Sequence, residues 1–188
     1  MRGACACGAP PRAVVGTDRD THRTLPEREE YARSEERFVA CLALCEETGD
    51  LNVGVDAQLA LGSLRTATGD VEGGQASLLA ARDAATSSGF ASTEVLSFCE
   101  LALLEGGVVQ DAVAAYTEHE ERLSAAERRE ARYLLFRATG VRLHLEVAKN
   151  LLDEALAKVP EQVRESMCRN KRVNRQILAA WHDEFGGE

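Results

Sequence analysis

The sequence has 188 residues, of which 45% are hydrophobic and 28% are charged, so its composition is that of a folded chain and excludes a wholly disordered one. Its net charge of −9 argues against nucleic-acid binding, because phosphate contacts need clustered Lys and Arg that outweigh the acids. No stretch reaches the ~20 apolar residues of a bilayer span, and residues 1–16 lack the apolar core of a secretory signal. We therefore expect a cytoplasmic protein whose partner is another protein, with no nucleic acid and no membrane.

Residues 1–24 are expected to form a disordered leader, because Gly, Pro, Arg and Asp occur there without a sustained hydrophobic period. From Pro26 onward, helix-forming stretches are separated by glycines. Gly49, Gly69 and Gly89 are spaced 20 residues apart, which is the length of one helix and a tight turn. The predicted helices are 26–48, 52–67, 71–87, 92–105, 109–122, 125–139, 143–158, 161–168 and 172–184.

Candidate N-capping residues follow the glycines that end the preceding helices. Asp50 and Asp70 each follow a glycine and are candidate caps, and Ser124 with Glu127 has the spacing of a capping box. Pro160 begins a short final element. Near-equal helices joined by short loops favour antiparallel neighbours stacked in chain order.

The helix pairs share a repeated sequence pattern. In the first pair, a Leu-Gly dipeptide and a Gly-Asp turn are followed by small, large and small residues in the second helix. These residues are Leu61, Gly62, Gly69, Asp70, Gly74, Leu78 and Ala81. The later matches are Gly107, Ala112 and Tyr116, with His119 in place of the final alanine, and then Ala148, Leu152, Ala155 and Pro160. Ser34, Phe38 and Cys41 fit the closing helix of an earlier, incomplete repeat.

This pattern resembles the tetratricopeptide repeat. The second-helix marks recur at residues 34, 74, 112 and 148, in steps of 40, 38 and 36, which are longer than the usual ~34 residues of that family. Such stretched repeats are similar to those of large bacterial signalling proteins, namely serine/threonine kinases, AAA-type or NB-ARC ATPase regulators and sigma-54 activators. The closing text from Val159 to Trp181 also resembles the terminal segment of those regions.

The resemblance implies an all-α, TPR-like α-solenoid of antiparallel helix pairs at 25–160, followed by C-terminal capping helices at 161–188. Small side chains let paired helices approach to ~8–10 Å, and stacked pairs leave a concave surface lined by the first helix of each pair. The residues expected to contact a partner there are Asp56, Leu59, Ser63, Thr66, Glu94, Ser97, Leu101, Glu130 and Arg137. The alternative fold is a non-repeat helical bundle, in which Gly and Ala only mark turns and close crossings.

Signals for enzymatic chemistry are weak. Cys5 and Cys7 are too close for the usual zinc knuckle, and Cys41 and Cys45 lie one helical turn apart, where core packing explains them better than a metal does. The histidines are isolated, and no phosphate loop, dinucleotide fingerprint or nucleophile elbow occurs. We expect no catalytic residues, no metal and no cofactor; a helical enzyme with a thiolate or metal centre is the remaining enzymatic alternative.

A basic cluster in the last segment allows two interpretations. It comprises Arg164, Arg169, Lys171, Arg172 and Arg175. It could dock an acidic surface or nucleic acid, but a polar capping helix whose apolar face folds onto the last repeat is favoured.

The expected function is a protein–protein interaction scaffold that binds a peptide or helix of a signalling partner in the concave groove. The alternative is a self-associating assembly protein, such as a homodimer, with no foreign ligand.

Overall fold

Every regular element in the described part of the chain is helical. The computed structural model describes residues 25–186, with side chains from residue 29; the predicted leader, Cys5 and Cys7 lie outside the described residues. The helices are α1 (Leu25–Thr48), α2 (Leu51–Thr68), α3 (Val71–Ser88), α4 (Ala91–Leu101), α5 (Val109–His119), α6 (Ala125–Thr139), α7 (Arg142–Ala157), α8 (Glu161–Asn170) and α9 (Arg172–Phe185). The predicted fold class, all-α with helices paired in chain order, is confirmed.

The predicted turn chemistry begins and ends these helices. Asp50 and Asp70 accept hydrogen bonds from the backbone N–H groups of Val53 and Gly73 at 3.2 and 3.0 Å. Ser124 and Glu127 form the predicted reciprocal capping box. Gly69 closes α2 in the left-handed region with φ of 100°, where an L-residue would be strained.

Two predicted helix ends are wrong by several residues. Helix α4 stops at Leu101 instead of 105, because the next turn tightens to hydrogen bonds three residues apart, from Leu103 N to the Glu100 carbonyl and from Leu104 N to the Leu101 carbonyl. Helix α5 stops at His119 instead of 122 and continues as a single 3₁₀ turn over Glu120–Arg122.

The helices stack in order and leave one concave side. Each of α1 to α6 packs against the next helix in the chain, and α2 also contacts α4, α4 contacts α6 and α6 contacts α9. The alternate helices α3, α5 and α7 contact one another far less. The row α2, α4, α6 and α9 is therefore the inner side of a solenoid-like arrangement, because the elements on the inner side of a curved stack lie closer together.

Small residues permit the closest helix crossings. A methyl group at Gly62 would lie 2.7 Å from Cγ of the fully buried Leu78, and one at Gly74 would lie 2.8 Å from the backbone nitrogen of Thr66. Helices α2 and α3 thus meet almost backbone to backbone, as the small-residue pattern predicts.

Two larger apolar clusters fill the rest of the stack. One lies between α4, α5 and α6 and includes Val95, Cys99, Tyr116 and Leu135. The other lies between α6, α7 and α9, where Ile177 is fully buried with Leu145, Ala148 and Leu152, and Val173, Leu178 and Trp181 pack around them. The apolar face of the last helix therefore packs against α6 and α7.

Candidate functional site

The concave side contains a cavity of about 830 Å³, here called the groove. Helices α2, α4 and α6 form its wall, α1 contributes residues between Glu30 and Phe38, and Asn170 with the start of α9 completes the lining. The apolar lining side chains include Phe38, Leu59, Leu64, Leu96 and Leu134. The acidic ones are Glu30, Asp56, Glu100, Glu127 and Glu130, and the basic ones are Arg172 and Arg175.

Two hydrogen bonds fix the register of the groove wall. The Thr93 hydroxyl donates to Asp56 Oδ1 at 2.5 Å, and the Ser63 hydroxyl donates to Glu100 Oε1 at 3.3 Å. In each bond the two residues are 37 positions apart. Helices α2 and α4 therefore lie side by side, and each residue of α2 lies beside the residue of α4 that comes 37 positions later in the sequence.

Burial raises the pKa of two carboxylates of the groove, Glu100 and Glu130, so these two are harder to ionise. The pKa of Glu100 is raised chiefly by desolvation, which Arg137, Arg172 and the Ser63 hydroxyl partly offset. The pKa of Glu130 is also raised, first by desolvation and then by the charge of Glu100, against the opposing cations of Arg129, Arg172 and Lys171. The groove thus holds negative charge that it stabilises incompletely.

A smaller cavity of about 330 Å³, here called the side cavity, adjoins the groove. It shares Ser63, Glu100, Glu130, Leu134 and Arg172 with the groove. Its other lining residues are Ala126, Arg129, Tyr133, Arg137, Lys171, Val173 and Gln176. The site is therefore polarised, because carboxylates predominate beside α1 and α2, while cations predominate beside α6 and α9.

Five of the nine residues predicted from the sequence line these two cavities. Asp56, Leu59, Ser63 and Glu130 line the groove, and Arg137 lines the side cavity together with Ser63 and Glu130. The structure therefore brings three of the four predicted residues of α2 together with both predicted residues of α6.

The other four predicted residues do not line the groove. Thr66 faces α3, where its methyl group lies against Gly74. Glu94 pairs with His119 of α5 at 3.3 Å, with only 14% of its side chain exposed. Ser97 is fully buried, and Leu101 is the partly buried last residue of α4.

The three misplaced residues of α4 have one cause. Matching Gly107 to Gly69 pairs each residue of α2 with the α4 residue 38 positions later in the sequence. In the structure, each residue of α2 instead lies beside the α4 residue 37 positions later. Gly106, not Gly107, takes the left-handed conformation that Gly69 takes, with φ of 78°. Choosing Gly106 would have predicted Glu100, which the sequence analysis missed along with Ser92 and Leu96.

The basic residues at the start of α9 were also missed as part of the site. The sequence placed Lys171, Arg172 and Arg175 on a polar cap, whereas Arg172 and Arg175 line the groove and Lys171 lines the side cavity. The hydrophobic pattern of a single helix distinguishes its apolar face from its polar face. It does not show which neighbouring helix the polar face meets.

Comparison with known proteins identifies no relative. No family model, no curated protein and no solved structure matches this chain.

The described residues offer no metal cluster and no membrane span. Between residues 25 and 186 no group of three or more His, Cys, Asp or Glu side chains is arranged to hold a metal ion. Cys41 and Cys45 are partly buried free thiols, and burial, followed by a hydrogen bond with Cys41, raises the pKa of Cys45. Within the same part of the chain, every helix is too short or too polar to cross a bilayer.

Proposed function

We propose that this chain is a tetratricopeptide-like interaction module that binds an extended segment or a helix of a partner protein in the groove. The observation that carries the proposal is the cavity of about 830 Å³ on the concave side, whose lining comes from α1, α2, α4, α6 and the start of α9. A surface built from so many separate elements is positioned by the whole stack. It lies where stacked helix pairs usually present their binding surface.

The chemistry of the groove suits a peptide ligand. Leu59, Leu64 and Leu96 offer apolar contacts for side chains of a bound segment, and the surrounding carboxylates offer hydrogen-bond acceptors. Asp56 and Glu127 favour a basic side chain of the partner at the α2 and α6 walls, because opposite charges attract most strongly where water is partly excluded. The family resemblance makes a bacterial signalling or regulatory protein the expected setting, and the role is one of binding without catalysis.

A peptide selection with matched variants tests this proposal. A displayed library of random 12-residue peptides would be selected against the full chain, and the dissociation constants of the selected peptides measured by titration calorimetry. Ala60→Trp fills the groove from α2, whereas Ala76→Trp adds the same side chain to the exposed outer surface of α3. We expect 1:1 binding that Ala60→Trp weakens at least tenfold and Ala76→Trp leaves unchanged. Equal binding to both variants would contradict the proposal.

One observation favours self-association as a second candidate function. Val39 and Leu44 of α1 are 47% and 59% exposed, and α1 packs chiefly on α2 among the described elements. A cavity of about 410 Å³ is also lined mainly by α1 and α2, including Leu42, Cys45 and Val55. A second copy could cover this apolar end.

Light scattering after size exclusion separates the two candidates. If α1 mediates a dimer, the wild type is dimeric at micromolar concentration and Leu44→Glu is monomeric. Leu143→Glu serves as the control, because Leu143 is also 59% exposed but lies on α7. A wild type that stays monomeric at all concentrations would rule out the dimer.

A further inference from the structure

The side cavity contains a buried arginine without a hydrogen-bond partner. Arg129 is only 4% exposed, and its Nε lies in the interior with no acceptor. Among residues 29–186, no side chain or carbonyl forms a hydrogen bond or an ion pair with its guanidinium within bonding distance. The carboxylate of Glu130 favours the charged form of Arg129, but desolvation outweighs this effect and lowers the pKa of Arg129.

A neighbouring arginine on the same helix shows the usual arrangement. The Nε of Arg132, one turn further along α6, also has no acceptor, but its two terminal nitrogens donate to Glu120 at 3.1 Å and to His144 at 3.1 Å, and its guanidinium lies over the Tyr116 ring at 4.4 Å. An ionised group taken out of water is normally paired in this way, because an unpaired buried charge is strongly unfavourable. Arg129 therefore lacks the acceptor that its environment requires.

The side chains around Arg129 attract negative charge. Arg137 of α6 and Lys171 and Arg172 of α9 line the same cavity, so four cations face the two carboxylates of Glu100 and Glu130. Burial already favours the neutral form of both carboxylates, since it raises their pKa values. The cavity is thus positive on balance, and the planar guanidinium has donors suited to an oxyanion.

We propose that the side cavity binds an oxyanion, a carboxylate or a phosphoryl group, which a partner segment lying in the groove presents to Arg129. The statement that the partner carries this anion rests on the proposed function, whereas the anion site itself can be tested with free ions. A partner would then place a basic side chain near Asp56 and an acidic or phosphorylated one near Arg129.

The proposal includes a dependence on pH. The charged groups around the cavity are Glu100 of α4, Arg129, Glu130 and Arg137 of α6, and Lys171 and Arg172 at the start of α9, and the phenol of Tyr133 on α6 is a further titratable group. A bound anion repels the charges of Glu100 and Glu130, so anion binding and protonation of these carboxylates favour each other. Affinity for an anion of constant charge should rise as the pH falls toward the raised pKa values of Glu100 and Glu130.

Titration with free anions tests the site. The full chain, labelled with nitrogen-15, would be titrated with sodium sulfate as the phosphoryl analogue and, separately, with sodium acetate, at an ionic strength held constant with sodium chloride. We expect saturable amide shifts around Arg129, with an affinity that Arg129→Met lowers at least tenfold. Arg33→Gln removes an exposed arginine of α1 and should leave the affinity unchanged. Saturation by sulfate alone points to a phosphoryl group, and saturation by acetate alone points to a carboxylate.

Two results would overturn the proposal. One is an absence of saturable shifts with either anion; the other is unchanged affinity in a folded Arg129→Met protein. If that variant does not fold, Arg172→Gln takes its place, because Arg172 is exposed and its loss should lower the affinity severalfold. Selected peptides that bind normally while both anions fail would overturn this inference only, and the opposite pattern would overturn the groove as a peptide site only.

Discussion

At the residue scale, glycine and alanine determine how closely the helices approach. Gly74 has no room for a side chain, since an added methyl group would lie 2.8 Å from the Thr66 nitrogen and 3.0 Å from the Gly62 carbonyl oxygen. These neighbours are backbone atoms, which cannot move without separating α2 from α3. The small-large-small pattern of residues in α3 predicted a close helix approach at this position.

We predict that Gly74→Ala lowers the free energy of unfolding by about 2 kcal/mol. Alanine favours helix over glycine by about 1 kcal/mol, but overpacking against backbone costs more than this gain. Urea denaturation followed by circular dichroism measures the change. Gln75→Ala, at an exposed position of the same turn, should change stability by less than about 0.5 kcal/mol. A Gly74→Ala protein as stable as the wild type would show that the crossing is looser than described.

The raised pKa of Glu100 gives a prediction on pH. Because the folded-state pKa lies above the unfolded one, the folded state binds a proton more readily, and this contribution to stability is lost as the pH rises through the folded pKa. Glu100→Gln, which keeps an acceptor for Ser63, should therefore be more stable than the wild type at pH 7.5 and show little difference at pH 4. Denaturant unfolding at both pH values measures this, with the exposed Glu105→Gln as the control. A variant that is less stable at pH 7.5 would mean that Arg137 and Arg172 outweigh the burial of Glu100.

At the element scale, the existence of the helices was predictable, but their rotation was not. Asp50, Asp70 and the Ser124–Glu127 box act within one turn, so local sequence determines them. The match between α4 and α2 instead depends on which glycine of the irregular turn after Leu101, Gly106 or Gly107, corresponds to Gly69, and the two choices differ by one residue. A difference of one residue turns a helix by about 100°, which is enough to exchange Leu96 for Ser97 in the groove.

The last helix is expected to stabilise the end of the stack. Ile177 is fully buried between α7 and α9, so Ile177→Ala removes apolar contacts and leaves a cavity, and it should lower the free energy of unfolding by about 2–5 kcal/mol. Asp183→Ala, on the exposed side of α9, should have little effect. Both variants can be compared by denaturant unfolding. A loss below about 1 kcal/mol for Ile177→Ala would mean that α9 is only loosely attached.

At the scale of the whole molecule, the stack joins residues that the sequence keeps far apart. Asp56, Glu100 and Glu130 come from three helices, and Arg172 joins them from α9 because that helix packs on α6 and α7. The sequence predicted that the first helix of each pair, namely α2, α4 and α6, forms the wall of a groove, because this follows from stacking alone. It did not predict the positive side of the site, because that depends on how the last helix folds back on the array.

The concave side is the surface that we propose binds a partner. The most direct test is to titrate the labelled chain with a peptide selected on it and to map the changes in amide shifts. We expect the largest changes on α2, α4 and α6 around Leu59, Leu96 and Glu130, with small changes on the outer helices α3, α5 and α7. Changes confined to those outer helices, or to the exposed end of α1, would contradict it.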